Sequence, residues 1–116
     1  MPLIRIQTNI DVDAEKKLVL MNELSLAGAE LLEKPESYMM VILDDGLEMQ
    51  LSGTVDPCAF LEVRSVGEIS DEQVTNLSGK LSELVGNIIG VGAGRIYINF
   101  TYVPGNRWAF DGRTFC

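Results

Sequence analysis

The sequence predicts an α/β protein (an α+β sandwich), a single domain of residues 1–116 in which two β-α-β units form a four-stranded sheet with two helices on one face. Shifted by 57 positions, the chain overlays itself without a gap, so that Ile4 falls on Leu61 and Leu24 on Leu81. Two segments alternate apolar and polar residues as strands do, and two longer segments space apolar residues as helices do. Any two strand–helix–strand units would overlay in this way, but the architecture is the same with or without a true repeat.

The first unit, about residues 2–45, opens with a strand over 3–9 in which isoleucines alternate with polar side chains. A helix begins near Asp13, a residue that caps helix N-termini well. The apolar stripe of this helix is predicted to be Leu18, Met21, Leu24, Gly28, Leu31 and Leu32. Pro35 ends the helix, because the residue before a proline is pushed out of helical geometry. The continuous apolar run 38–43 then predicts a well-buried strand.

The second unit, about residues 59–103, repeats this plan with an alternating strand over 60–65. Ser70 and Gln73 have the spacing of a capping box at the start of a helix. Its apolar stripe is predicted to be Val74, Leu77, Leu81, Leu84, Val85 and Ile88, after which three glycines end the helix. The last long strand is predicted over 95–101, with one apolar face that consists of Ile96, Ile98 and Phe100.

The predicted helices cover one face of the sheet, so the other face must meet water or another subunit. Its side chains are predicted to be mixed in polarity: Arg5, Gln7, Glu62, Arg64 and Asn99. A small sheet with exposed edges commonly finds partners, so we expect an oligomer. The tail 104–116 carries Trp108, Phe110 and Phe115, which we expect to dock on their own core or on a neighbouring subunit.

Composition excludes several classes of function. A net charge of −8 argues against a nucleic-acid partner, since phosphate binding needs clustered lysine and arginine. No apolar stretch is long enough to cross a bilayer and no leader opens the chain, so we expect a cytoplasmic protein without a membrane partner. Cys58 and Cys116 are expected to be plain thiols. With this ligand set and no histidine we expect no metal and no cofactor.

The absence of histidine also excludes the usual serine and cysteine triads. A base that works near neutral pH must be an α-amine, a carboxylate of raised pKa, a lysine of lowered pKa or a thiolate. Pro2 becomes a secondary α-amine if Met1 is removed, and it remains an amide if Met1 stays. The pKa of an α-amine is about 7.7–8.0, and burial or a nearby ammonium lowers it. Lys34, at the predicted helix end, is either such a cation, able to clamp a carboxylate, or simply a partner of the helix dipole.

Five short motifs together carry a resemblance to a known family: Pro2-Leu3-Ile4, Lys34-Pro35-Glu36-Ser37-Tyr38, Pro57-Cys58-Ala59, Ser65-Val66-Gly67-Glu68-Ile69 and Arg95-Ile96-Tyr97-Ile98-Asn99-Phe100. In combination they resemble the macrophage migration inhibitory factor family of the tautomerase superfamily over essentially the whole chain. The resemblance implies a tautomerase-like homotrimer of β-α-β-β-α-β subunits with active sites between neighbouring subunits. It also implies keto–enol tautomerisation of phenylpyruvate-like 2-oxo acids.

The resemblance assigns roles residue by residue. Pro2 resembles the catalytic base that shuttles the proton, and Lys34 the cation that meets the substrate carboxylate. Asn99 and Tyr97 resemble a polar contact and an aromatic wall supplied across the subunit boundary. Val66 holds a position, usually isoleucine, whose backbone contacts substrate. Further substrate-binding positions are expected at Leu3, Ser65, Tyr38, Trp108, Phe110 and Phe115, although the serine is equally explained as a strand-end hydroxyl.

Two departures from the family pattern change what is expected. The CxxC motif of the family's best-known member has lost its second cysteine, because Leu61 stands three residues after Cys58. Thiol–disulfide exchange by that route needs two thiols, so no such oxidoreductase activity is expected. When the C-terminal tail is aligned with the family pattern by counting back from Phe115, Phe110 falls at the position of the family's pocket tryptophan. Trp108 falls at the position of a small apolar residue. The alternative function is a non-catalytic signalling or metabolite-binding module of the same fold, since animal members of the family are known as cytokines. The resemblance also allows non-classical secretion of this protein.

Overall fold

The computed structural model describes residues 1–115 and has a four-stranded sheet at its centre. Its strands are β1 (Leu3–Thr8), β2 (Met40–Asp44), β3 (Ala59–Val66) and β4 (Ile96–Val103), in the order β2-β1-β3-β4. The pairs β1–β2 and β3–β4 are parallel, and β1 runs antiparallel to β3. Each parallel pair is joined by a helix, as a parallel connection requires. The predicted pair of β-α-β units is therefore confirmed.

The two helices are α1 (Ala14–Leu32) and α2 (Asp71–Ile89). Asp13 caps α1 by accepting a hydrogen bond from the Lys16 amide at 2.8 Å, and the predicted capping box starts α2. Gly90 ends α2 in the left-handed conformation, with φ of 78°. The first helix ends slightly earlier than predicted, because Glu33 already adopts the left-handed conformation with φ of 56°.

The core lies between the two helices and one face of the sheet. It joins inward-facing side chains of β1 and β3 to buried side chains of both helices, which confirms that the helices share one face. Fully buried members are Ile4, Ile6, Leu20, Leu24, Leu61, Val63, Leu77, Leu81, Val85 and Val91. No helix among residues 1–115 has the length and apolar character needed to span a membrane.

The predicted apolar stripe of α1 was wrong at one position. Leu18 is 62% exposed, whereas Leu20 is completely buried. Four consecutive apolar residues, 18–21, leave the phase of the stripe ambiguous in the sequence. Leu20 lies four residues before Leu24 and shares its face of the helix, and Leu18 does not. Leu20 is therefore the residue of this run that packs in the core.

This difference between neighbouring leucines predicts a difference in stability. Leu20→Ala is expected to lower the free energy of unfolding by about 2–5 kcal/mol, because it leaves a cavity in the core. Leu18→Ala is the matched control and should change it by no more than about 0.5 kcal/mol. Chemical denaturation of the two variants beside the wild type measures both values. Equal losses would show that the phase of α1 differs from that described.

The strand predicted over 38–43 was expected to be well buried, and that expectation was wrong. Residues 36–38 form a 3-10 turn, and β2 begins only at Met40. The strand lies at an edge of the sheet, and Met40 is 60% exposed. Val41 and Leu43 pack against the core, but the opposite face of the strand is uncovered. A continuous apolar run indicates that both faces of a strand are buried. In this chain by itself, the helices cover only one face of β2.

The uncovered face of the sheet, hereafter the open face, is mixed in polarity as predicted. Arg5 of β1 is paired with Glu62 of β3, and Glu62 is paired in turn with Asn99 of β4. The face carries two ion pairs, one between Arg64 and Glu62 at 2.6 Å and one between Arg5 and Asp44 at 3.6 Å. Opposite charges thus neutralise each other locally and leave the open face polar but without a large net charge.

The tail folds back onto its own chain, which is one of the two possibilities that the sequence left open. It forms a short hairpin of β5 (Ala109–Phe110) and β6 (Arg113–Thr114), whose turn residues Asp111 and Gly112 both have positive φ. This hairpin was not predicted, although an Asp-Gly pair is a strong hairpin signal. The Phe115 amide donates to the carbonyls of residues 105 and 108 and holds the tail end against its start.

Candidate functional site

Pro2 lies immediately before β1 and is fully buried. Its carbonyl accepts a hydrogen bond from the Met40 amide at 3.1 Å, which ties it to the edge strand. On its other side, the ladder between β1 and β3 pairs Leu3 with Arg64. If this pairing is continued by one residue, Pro2 lies opposite Ser65. The next residue, Val66, is the last residue of β3. The structure therefore holds the second residue in one fixed place, and it brings Ser65 and Val66 close to it.

A cleft of about 260 Å³, hereafter the Pro2 cleft, opens at this position. It brings together four of the predicted site residues, which are Pro2, Tyr38, Trp108 and Phe110. The Phe110 ring meets Tyr38 edge-on, with centroids 6.4 Å apart, and stacks on Phe115 at the same distance. The tail hairpin thus completes one wall of the cleft with aromatic side chains.

Five residues that line the Pro2 cleft were not among the predicted site residues: Met1, Ser37, Met39, Met40 and Ala109. Ser37 and Met39 adjoin Tyr38 and Met40 is the next residue, so the motif around that tyrosine was the available signal. Met39 packs against α1 at Gly28, where a Cβ atom would lie 2.6 Å from the Met39 methyl carbon. The glycine therefore makes room for a side chain of the cleft.

The electrostatics of the site follow from burial and from Lys34. The pKa of the Met1 amine is lowered below its ordinary value, first by burial and then by the positive charge of Lys34. Within residues 1–115, the Lys34 ammonium takes part in no ion pair. Its backbone amide donates to the Ala29 carbonyl at 2.9 Å, which fixes its position just after the end of α1. An unpaired cation thus lies near the terminal amine and is available to an anion.

Seven of the eleven predicted site residues do not line the Pro2 cleft within one chain, among them Asn99 and Tyr97. Asn99 and Tyr97 lie on β4, which β3 separates from β1. Tyr97 aligns with Phe60 at the far end of the sheet and is 64% exposed. Asn99 instead lines a second cleft on the open face, together with Ser65 and Trp108. One subunit therefore supplies only part of the predicted constellation. The other predicted residues that do not line the Pro2 cleft are Leu3, Lys34, Ser65, Val66 and Phe115.

The described residues hold no group of three or more side chains suited to a metal ion. Cys58 is a free thiol and is 3% exposed, and Cys116 lies outside the described residues. The Thr8 hydroxyl donates to the Cys58 carbonyl at 2.8 Å, and the Asn9 side chain accepts from the Cys58 amide. This cysteine therefore fixes the corner before β3 through its backbone, while its sulfur packs in the interior.

A fully buried Pro2, a lysine without an ion pair among residues 1–115 and an aromatic wall characterise this site, and comparison with known proteins gives it a context. Residues 1–116 match the model of the family described as macrophage migration inhibitory factor (MIF). The protein belongs to the MIF family. The MIF homolog of Brugia malayi is 31% identical over 115 residues, with 99% of each chain covered. The MIF of Rattus norvegicus is 30% identical over 115 residues, again with 99% of each covered.

Among solved structures, the MIF homologue from Prochlorococcus marinus superposes on this chain with a TM-score of 0.93 at 37% sequence identity. The match covers 98% of this chain and 99% of that one. The whole fold is therefore that of the MIF family, including the four-stranded mixed sheet and both helices. The predicted family and fold class are both confirmed.

Proposed function

We propose that this MIF-family protein is a keto–enol tautomerase that acts on phenylpyruvate-like 2-oxo acids, with Pro2 as its acid and base once Met1 is removed. The observation that supports it most is the environment of the terminus. Burial and the Lys34 charge lower the pKa of the Met1 amine, and Pro2, whose nitrogen ends the chain once Met1 is removed, is itself fully buried. Such surroundings favour a neutral amine near pH 7, which is the form that accepts a proton.

The proposed reaction is a proton transfer next to a carbonyl. The neutral Pro2 nitrogen takes a proton from C3 of the substrate, so that the C–H bond breaks, an N–H bond forms and electrons move onto the carbonyl oxygen. Lys34 holds the substrate carboxylate, and the aromatic wall of Tyr38 and Phe110 accommodates the ring. The protonated amine then gives its proton to the oxygen, which completes the enol. The reverse order converts the enol to the keto form.

The proposal includes the homotrimer that the family resemblance implies, and it is supported by the position of Asn99 and Tyr97, which lie away from the Pro2 cleft of their own chain. The open face and the exposed edge strand β2 are surfaces that a neighbouring subunit can cover. We expect sedimentation analysis to give three times the chain mass of 12.8 kDa. A species of one chain mass at micromolar concentration, with full activity, would contradict an active site shared between subunits.

Enzyme activity itself is tested by following the enol–keto conversion of phenylpyruvate through its ultraviolet absorbance. The sample must first be shown by intact mass to lack Met1, because a Pro2 amide has no lone pair available as a base. We expect conversion well above the buffer rate. A trimmed, trimeric sample that shows no conversion would favour the alternative, a non-catalytic signalling or metabolite-binding module of the same fold.

A further inference from the structure

Gly28 is the one glycine of α1, and it is buried where the helix packs against Met39. A Cβ atom at this position would lie 2.6 Å from the Met39 methyl carbon and 2.7 Å from Cδ1 of Ile4. Either contact would force a movement, since non-bonded carbon atoms are at their best about 3.5–4.0 Å apart. The missing side chain of Gly28 therefore leaves a space that the ends of two other side chains fill.

These two side chains differ in their freedom to move. Ile4 is completely buried in the core. Met39 is only partly buried, and besides packing against the core it lines the Pro2 cleft. Methionine is also unbranched and flexible, whereas isoleucine is branched and stiff. A larger residue at position 28 would therefore displace the Met39 side chain, and the empty space beside that side chain is the Pro2 cleft.

The main chain around Met39 is held on both sides, so a displacement falls on the side chain. The Met39 amide donates to the Glu36 carbonyl at 2.9 Å, and the Met40 amide donates to the Pro2 carbonyl at 3.1 Å. The Pro2 cleft has a volume of about 260 Å³. Ligand pockets usually have about 300–1,000 Å³, so a shift of one methyl group takes up space that this small cleft needs.

We propose that Gly28 determines substrate specificity, because it holds Met39 back against α1 and so gives the Pro2 cleft the depth to accept an aromatic ring. Gly28 acts only through Met39 and is a positioning residue. The inference rests on the proposed function for the place of the ring, beside Tyr38 and Phe110, but it concerns ligand preference and not proton transfer. The contacts between Gly28 and Met39 lie within one chain and do not depend on a neighbouring subunit.

The binding experiment compares 3-phenylpropanoate with propanoate, which differ by the ring and have no keto group to react. Trp108 is the only tryptophan of the sequence and lines the Pro2 cleft, so its fluorescence follows the binding of either acid. We expect the wild type to bind the aromatic acid more tightly. Gly28→Ala should reduce that preference about 10-fold, the lower end of the effect of one methylene in an apolar pocket. Gly79→Ala on α2 is the matched control and should leave the preference unchanged, because a Cβ atom there would meet nothing within 4 Å among residues 1–115.

A second substitution tests whether the effect passes through Met39. In the double variant Gly28→Ala, Met39→Ala, the atoms that the new methyl group displaces are gone, so the preference for the aromatic acid should return. A loss caused by general destabilisation would persist, because the double variant removes a further side chain that packs against the core. Should Gly28→Ala not fold, Met39→Ala alone decides. Its wider cleft should bind 3-(2-naphthyl)propanoate, which has a larger ring, about 10-fold more tightly than the wild type does.

The outcomes separate this inference from the proposed function. An unchanged preference in Gly28→Ala would overturn the inference, as would no recovery in the double variant or no gain for the larger ring in Met39→Ala. Equal affinity of the wild type for 3-phenylpropanoate and propanoate would overturn it too. Loss in Gly28→Ala and recovery in the double variant support it, even if phenylpyruvate is not turned over. That last result would refute only the tautomerase proposal.

Discussion

Pro2→Ala is expected to lower kcat/KM for phenylpyruvate by roughly 100- to 10,000-fold, the usual contribution of a positioned acid–base group. Alanine keeps a terminal amine after Met1 is removed, but it is a primary amine of lower basicity. It also lacks the ring, which is fully buried in the wild type and fixes the direction of the nitrogen. The ultraviolet assay of the enol–keto conversion measures the loss directly.

This test needs two controls. Intact mass must show that Met1 is absent from both proteins, because retention of Met1 blocks either amine. Pro57→Ala is the matched proline control, since Pro57 is exposed and lies in the loop before β3, outside the Pro2 cleft. Turnover of the Pro2 variant at the wild-type rate, with Met1 removed from both, would refute the assignment of the base.

Lys34→Gln is expected to raise KM for phenylpyruvate about 10- to 100-fold, because the substrate carboxylate loses a charged donor. The same substitution should also change the pKa of the amine that acts as the base. The Lys34 charge lowers the pKa of the Met1 amine, and in the proposed function it acts in the same way on the Pro2 amine, so its removal should raise the pKa of the catalytic amine. The amine is active when neutral, so the acidic limb of the pH profile of kcat/KM should move to higher pH.

Lys34→Arg separates the two effects of Lys34. It keeps the positive charge and should leave the acidic limb in place, while its different head group changes substrate affinity. Lys80→Gln on α2 removes a lysine outside the Pro2 cleft and should alter neither property. An acidic limb that stays unchanged in Lys34→Gln would show that this lysine does not influence the catalytic amine.

Much of the site was predictable from short segments. Pro2 could be expected to be held by a strand because the residues after it alternate, and a strand fixes whatever precedes it. Lys34 could be expected next to a helix end because Pro35 follows it. These are relations between residues a few positions apart, and the side-chain periods of helices and strands make them visible in the sequence.

The rest of the site depends on residues far apart in the chain. Met40 was part of an apolar run, but its exposure follows from the edge position of β2 and from helices that cover only one face. The contact between Tyr38 and Phe110 depends on the path of the tail hairpin. An Asp-Gly turn signals that a hairpin exists, but it does not indicate where the hairpin docks.

The sequence by itself determined the family, the order of the strands and helices, both helix caps and the position of Pro2 before a strand. Only the tertiary structure decided that Leu20 rather than Leu18 enters the core, and that Trp108 lines both the Pro2 cleft and a second cleft on the open face. The physical reason is the range of the interactions. Caps and alternation arise from contacts between near neighbours in the chain, whereas clefts form where segments distant in sequence pack together.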